Sequence, residues 1–332
     1  MTVRVVAGDC RAVLGGLPER SVQCVVTSPP YWGLRDYGVR GQLGLEPTPE
    51  AYVAVMVDVF RAVRRVLRDG GTLWLNMGDT YASGEVGRND DDPTNLARRA
   101  ELYGTGTVKP GIHERQQRRV RTGLKPKDLV GIPWRLAFAL QADGWFLRAD
   151  IVWAKPNPMP ESVTDRPTKA HEYVFLLSKS ARYFYDADAV REPNSDWSVQ
   201  ALASSWTRRT RNPCPDRNDG NGNDGAGAAY ASKVNPAGRN LRSVWTLATE
   251  PTPEAHFATF PTALASRCIL AGSHMGDTVL DPFAGSGTVG AAAERLGRHS
   301  VLIELSAAYV RMAEERTAQR GLFAQGKIDG TV

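Results

Sequence analysis

The chain has 332 residues, 42% of them hydrophobic, with a formal net charge of +5 and a pI of about 9.1. That content supports one large α/β core with an accessory region, and the basic excess suits a polyanionic partner. No stretch is apolar for long enough to span a bilayer and the amino terminus has no apolar signal region. The four cysteines, Cys10, Cys24, Cys214 and Cys268, have no paired spacing, which points to a reduced, cytoplasmic, metal-free protein rather than a disulfide scaffold.

Val3–Val6 reads as a strand that ends at Gly8-Asp9, followed by a short helix from Cys10 to Leu17 that Pro18 closes. Asp9 suits an N-cap there and also sits at a strand's carboxyl end. Val22–Val26 is a second, β-branched strand, and it runs into Thr27-Ser28-Pro29-Pro30-Tyr31-Trp32. Proline donates nothing to a sheet ladder and extends the residue before it, so Ser28 to Tyr31 should form a stiff extended loop. Strand carboxyl ends are where a parallel α/β sheet binds ligands. The loop offers a hydroxyl, a backbone carbonyl and two aromatic faces, which suit a flat, polar, aromatic substrate. The plainer alternative is a proline turn with core aromatics.

Gly33 to Gly38 reads as a mobile loop. Thr48-Pro49-Glu50 starts a helix whose apolar residues, Tyr52, Val55, Met56, Val59, Phe60, Val63 and Leu67, recur at helical spacing. Arg61, Arg64, Arg65 and Arg68 are expected to form a solvated face near its end, Gly70-Gly71 to stop it, and Thr72–Asn76 to form the next strand. Asn76 to Asp79 closes that strand on the ligand side.

Residues 82–128 break the α/β rhythm: over 84–127 there are ten basic and six acidic residues and no apolar periodicity. Arg115, Arg118, Arg119 and Arg121 form the densest run and are the best phosphate-binding candidates, against the alternative of a solvated loop. Pro133–Ala142 is an apolar helix, and Phe146–Trp153 a strand ending in the proline-rich loop Ala154–Pro160. Lys155 and Asn157 on that loop could contact a base or phosphates, and Asp165-Arg166-Pro167 could extend the surface. His171–Leu177 is a further strand. No serine or cysteine nucleophile pairs with His171, so it reads as a structural or capping histidine.

Regular patterning is lost again from 187 to 255. Asn212-Pro213-Cys214-Pro215 contains a Pro-Cys pair of the kind cytosine-C5 enzymes use, but no strand precedes it and it reads as a decoy. Arg208, Arg209, Arg211, Lys233, Arg239 and Arg242 lie among Trp197, Trp206 and Trp245, a mixture that suits groove reading. Phe257–Thr262 then opens a helix over 263–270. Thr278–Asp281 reads as a strand, Pro282–Gly287 as a glycine-rich turn, the residues from Thr288 as a helix and Ser300–Ile303 as a strand ending in Glu304. Glycines admit a ligand close to the backbone, a helix amino end offers free N–H groups, and a carboxylate one βαβ unit later suits a ribose. A last helix, 307–319, is expected at the sheet's edge.

Two of these stretches resemble motifs of the β-group DNA amino-methyltransferases. Asp281-Pro282-Phe283-Ala284-Gly285-Ser286-Gly287 is similar to their S-adenosyl-L-methionine loop, and Ser28-Pro29-Pro30-Tyr31 to their catalytic motif. The catalytic motif comes first, which is the permuted order of that group. Serine at position 28 and the Lys155-Pro156-Asn157-Pro158 loop resemble the cytosine-N4 branch. The resemblance covers roughly 1–80, 129–186 and 256–318.

It implies a doubly wound, Rossmann-like sheet of seven strands, one of them antiparallel, circularly permuted and carrying inserted DNA-recognition regions. The expected division is 1–81 for the catalytic half, 82–128 for a basic insertion, 129–186 for the rest of that half, 187–255 for target recognition and 256–332 for the cofactor half. Ser28, Pro29, Pro30 and Tyr31 would be catalytic, with Tyr31 stacked on a flipped base. Asp9, Thr27, Phe260, Asp281, Pro282, Phe283, Ala284, Gly285, Ser286, Gly287, Thr288 and Glu304 would hold S-adenosyl-L-methionine. Double-stranded DNA is the implied partner, and the resemblance allows a homodimer and a cognate restriction endonuclease. Adenine-N6 methylation is the alternative; a dinucleotide-dependent oxidoreductase is a remote one, since it leaves Ser-Pro-Pro-Tyr unexplained.

Overall fold

The structure is a computed structural model, and it describes residues 1–82, 124–196, 235–250 and 260–324, with side chains to 318. In chain order the elements are β1 (Val3–Ala7), α1 (Cys10–Gly16), β2 (Val22–Thr27), α2 (Pro49–Val66), β3 (Leu67–Met77), α3 (Ile132–Ala142), β4 (Phe146–Ala154), β5 (His171–Ser178), β6 (Val244–Thr246), α4 (Thr262–Gly272), β7 (Thr278–Asp281), α5 (Thr288–Arg295), β8 (His299–Glu304) and α6 (Ala307–Ala324). The strands form one sheet in the order β1-β8-β7-β2-β3-β5-β4-β6. Only β5 runs against its neighbours β3 and β4.

The expected seven strands become eight. The extra one is β6, which pairs parallel to β4 through Val152↔Val244, Trp153↔Trp245 and Ala154↔Thr246. It comes from a region where the sequence has no strand signal, because three residues are too few for an alternating pattern. Trp245 is core rather than a groove-reading aromatic: it is buried, lies 6.3 Å from Trp74 and has the Arg267 guanidinium over its ring at 5.0 Å.

The sheet is covered on both faces, as its near-continuous apolar strands require. In β3, Leu73 and Leu75 join the cluster built by Tyr52, Met56, Phe60 and Val63 of α2 and Leu136 and Leu140 of α3. Alternate residues face α4, where Gly272 comes so close that a Cβ would sit 2.6 Å from Thr72 Oγ1 and 2.8 Å from Trp74 Nε1. The α2 amino end follows from its sequence, since Thr48 Oγ1 accepts from the Ala51 amide at 3.1 Å and Pro49 fills the first turn. Its other end differs from expectation. The helix stops at Val66 and the chain extends at once, so Gly70 and Gly71 lie within β3.

Of the arginines of this region, Arg61 and Arg68 are exposed as expected of a solvated face and Arg64 and Arg65 are half-buried, and all four also bond neighbouring segments. Arg65 donates to the Leu14 and Leu17 carbonyls at 2.6 and 2.8 Å, which closes the end of α1. Arg61 bonds Asp143, Arg64 the Gly144 carbonyl and Arg68 Asp277. They tie neighbouring loops to α2 and, through Arg68, to β3.

Two units are distinguishable: residues 1–184 with 243–332, which hold the whole sheet, and Tyr185–Arg242. In the second, Glu192 accepts from both Arg239 and Arg242 at 3.1 and 3.0 Å. Among the described residues no helix is long and apolar enough to cross a membrane.

Candidate active site

Two strands from opposite ends of the chain lie side by side in the sheet. β2 pairs with β7 through Cys24↔Val279 and Val25↔Leu280, and with β3 on its other side. From β7 the chain goes on to β8, and from β2 to β3, in opposite directions along the sheet. The loops leaving the two strands therefore diverge and leave a crevice between them. It holds a cleft of about 340 Å³, within the ~300–1,000 Å³ range of small-molecule sites.

One wall is the glycine-rich turn. Asp281 is buried; its Oδ1 accepts from Thr27 Oγ1 at 2.7 Å and from the Phe283 amide at 3.0 Å. Burial raises its carboxyl to about 7, against the pull of those two bonds. Glu304, at the end of β8, accepts from the Gly285 and Ser306 amides, both at 2.8 Å. Burial raises this carboxyl too. Phe260, Pro282, Phe283, Ala284, Gly285, Ser286 and Thr288 complete the wall. Arg316 of α6 donates to Ser286 and Thr288 at 3.2 and 3.0 Å and steadies the turn from behind.

Asp9 also lines the cleft. It caps α1 through the Arg11 amide at 2.9 Å and pairs with the Arg11 guanidinium, which holds its carboxyl below the ordinary value. The helix-cap reading of Asp9 thus holds, and the same residue faces the cleft. Thr27 and Gly287 do not line the cleft: Thr27 is fully buried under Asp281, and Gly287 caps α5 at φ +80°, where a Cβ would stand 3.0 Å from Ala313 Cα.

The opposite wall is the proline loop, with Ser28, Pro29, Pro30 and Tyr31 all lining the cleft. Tyr52 Oη donates to the Pro30 carbonyl at 2.9 Å and holds the loop on α2. Among the described residues nothing donates to the Pro29 carbonyl. Trp32 is core, with Nε1 donating to the Glu46 carbonyl at 2.8 Å. The Tyr31 ring lies against Gly78, where a Cβ would stand 2.5 Å from its Cε2.

The residue that sequence reasoning missed is Glu172, on β5. Its Oε2 accepts from Tyr31 Oη at 2.6 Å and Asn76 Nδ2 at 2.9 Å, and its Oε1 from Lys155 Nζ at 2.5 Å. Burial alone would raise this carboxyl; Lys155, with Tyr31 and Asn76, outweighs it and holds the group below the ordinary value. Burial and then Glu172 push the Tyr31 phenol well up, so it stays protonated. The available signal was a glutamate inside an otherwise apolar strand, a residue type rarely buried without partners. Lys155 therefore belongs to this network, with its ammonium 4.3 Å from the Trp153 ring centroid. Asn157 lies outside it and exchanges two bonds with Thr249 at 2.9 and 3.0 Å. Arg115, Arg118, Arg119, Arg121, Arg208, Arg209 and Arg211 lie outside the described residues.

A family model described as a DNA methylase matches residues 22–315, across both walls of this cleft. The chain belongs to this DNA methylase family. Its relatives include the type II methyltransferases M.SmaI of Serratia marcescens, 47% identical over 96% of this chain and 91% of that one, and M.Cfr9I of Citrobacter freundii, 47% identical over 93% and 85%. Among solved structures, TTHA0409 of Thermus thermophilus, described as a DNA modification methylase and solved with S-adenosyl-L-methionine, has a TM-score of 0.56 at 24% identity and covers the full length of both chains. The PvuII DNA methyltransferase, described as cytosine-N4-specific, has a TM-score of 0.60 at 19% identity over 95% of this chain and 86% of that one. At these identities the two structures share the fold of this chain.

Proposed function

We propose that this DNA methylase transfers a methyl group from S-adenosyl-L-methionine to the exocyclic N4 amine of cytosine in double-stranded DNA. The observation that carries the reading is Ser28, a neutral hydroxyl at the lip of a cleft whose far wall carries Asp281 and Glu304. The cleft suits this cofactor. Two carboxylates match its ammonium and ribose hydroxyls, and Phe260, Phe283 and Ile303 supply apolar contact for the adenine. When bound, S-adenosyl-L-methionine supplies a methyl group made electrophilic by the sulfonium.

An exocyclic amine is a poor nucleophile because its lone pair is delocalised into the ring. Ser28 Oγ and the Pro29 carbonyl accept its two hydrogens, which draws the nitrogen toward a tetrahedral geometry and frees the pair. Asp281 and Glu304 orient the donor, and alignment supplies much of the rate. The target base leaves the duplex to reach the cleft, because its amine is paired inside. Lys155 and Asn157 border the base, and the arginine-rich runs at 115–121 and 208–211 hold phosphates. The type II names of the relatives support partnership with a cognate endonuclease.

The test is nucleoside mass spectrometry of DNA from cells expressing the chain. N4-methylcytosine is expected; N6-methyladenine as sole product overturns the cytosine assignment.

A further inference from the structure

We infer that Glu172 is a positioning residue that acts through Tyr31 to turn the Ser28 hydroxyl hydrogen away from the substrate. The inference rests on the amine-methylation reading above, though not on which base carries the amine. A carboxylate only accepts hydrogen bonds. Tyr31 Oη, 2.6 Å from Glu172 Oε2, must therefore spend its single proton on Glu172. It is then an acceptor toward everything else, including Ser28 Oγ at 3.2 Å. Ser28 donates there, which leaves a lone pair of its oxygen for the cleft. Asn76 fixes the same direction, since its Nδ2 points at three acceptors: Glu172 Oε2 at 2.9 Å, Tyr31 Oη at 2.9 Å and Ser28 Oγ at 3.4 Å. Lys155 holds the other carboxylate oxygen, so Glu172 cannot rotate away.

A serine hydroxyl has no inherent direction: it donates as readily as it accepts. Facing an amine, the wrong rotamer offers a hydrogen to the lone pair that must attack the methyl group. The array Glu172–Tyr31–Ser28 removes that state. It also gives the Tyr31 hydroxyl a task separate from stacking by its ring.

The array makes an unusual prediction. In Glu172→Gln, Lys155 claims the single amide oxygen and the NH2 group turns toward Tyr31. Tyr31 must then accept from it and donate to Ser28, which reverses the array. Single-turnover methyl transfer into genomic DNA from a host lacking this enzyme should fall about a hundredfold, in the range for misplaced acid–base groups. Tyr31→Phe should lose only about tenfold, because Ser28 is freed rather than reversed. The double variant should match Tyr31→Phe alone, a rescue that no loss of packing would produce. Affinity for S-adenosyl-L-methionine by calorimetry should stay unchanged throughout. Additive losses, a deficit confined to the DNA KM, or a Tyr31→Phe rate within about threefold of the parent would overturn the inference. The last holds even if Glu172→Gln fails to fold. Methyl incorporation is counted whatever the base, so an adenine product would refute the cytosine reading and leave this one standing.

Discussion

Thr27 Oγ1 donates to Asp281 Oδ1 at 2.7 Å across 254 residues of sequence. The bond joins the strand that leads into the proline loop to the strand that leads into the glycine turn, at the point where the sheet changes direction. Both residues are buried, so the pair fixes the spacing of the two walls of the cleft. Thr27→Val keeps the shape and removes the donor. S-adenosyl-L-methionine affinity should fall by about 1 kcal/mol, roughly fivefold, and thermal stability should fall as well, because a buried acceptor loses its donor. Unchanged affinity by calorimetry would show that Asp281 is placed by the Phe283 amide alone.

Asp281 also sets a pH dependence. Burial pushes its carboxyl up to about 7, and the contact proposed for it with a cationic cofactor group requires the ionised form. Binding must then release a proton when the pH is below that value, so affinity weakens on acidification. It should be about tenfold lower at pH 6 than at pH 8, and Asp281→Asn should be weak and flat across the range. For stability the sign is opposite: the folded value lies above the ordinary 3.8, so burying the charge costs most above pH 7 and nothing below about 4.

Gly78 has no side chain because the Tyr31 ring occupies that space. Gly78→Ala should push the ring out of place and slow methyl transfer by at least tenfold, with S-adenosyl-L-methionine affinity preserved. Equal losses in both measurements would mean that the whole cleft had shifted.

Neutralising Arg118, Arg119 and Arg121 together should weaken binding to every DNA sequence and reduce the slope of log affinity against log salt by about 2–3. A slope equal to the parent's would assign these residues to solvent.

Both walls were legible in the sequence for a physical reason. A proline pair ending a β-branched strand and a glycine turn opening a helix are local devices, set by backbone sterics over a few residues. The same holds for the α2 cap at Thr48 and for the carboxylate that ends β8. The strand boundaries at Gly70-Gly71 failed because glycine marks a possible stop, whereas the pairing of β3 with β2 and β5 decides where the strand begins. Trp245 was misread for a related reason: an aromatic on a segment too short to show an alternating pattern has no period to show which way it faces.

The sequence by itself determined the class of chemistry, since the proline loop and the glycine turn are each complete within about a dozen residues. Only the tertiary structure decided how they act together. β2 meets β7 through pairing between the two ends of the chain, and Thr27 finds Asp281 only then. Glu172 is one charged residue in an apolar strand until the antiparallel β5 brings it to Tyr31, Asn76 and Lys155. A buried carboxylate depends wholly on such partners, and residues from three other segments can be gathered around it only by the fold.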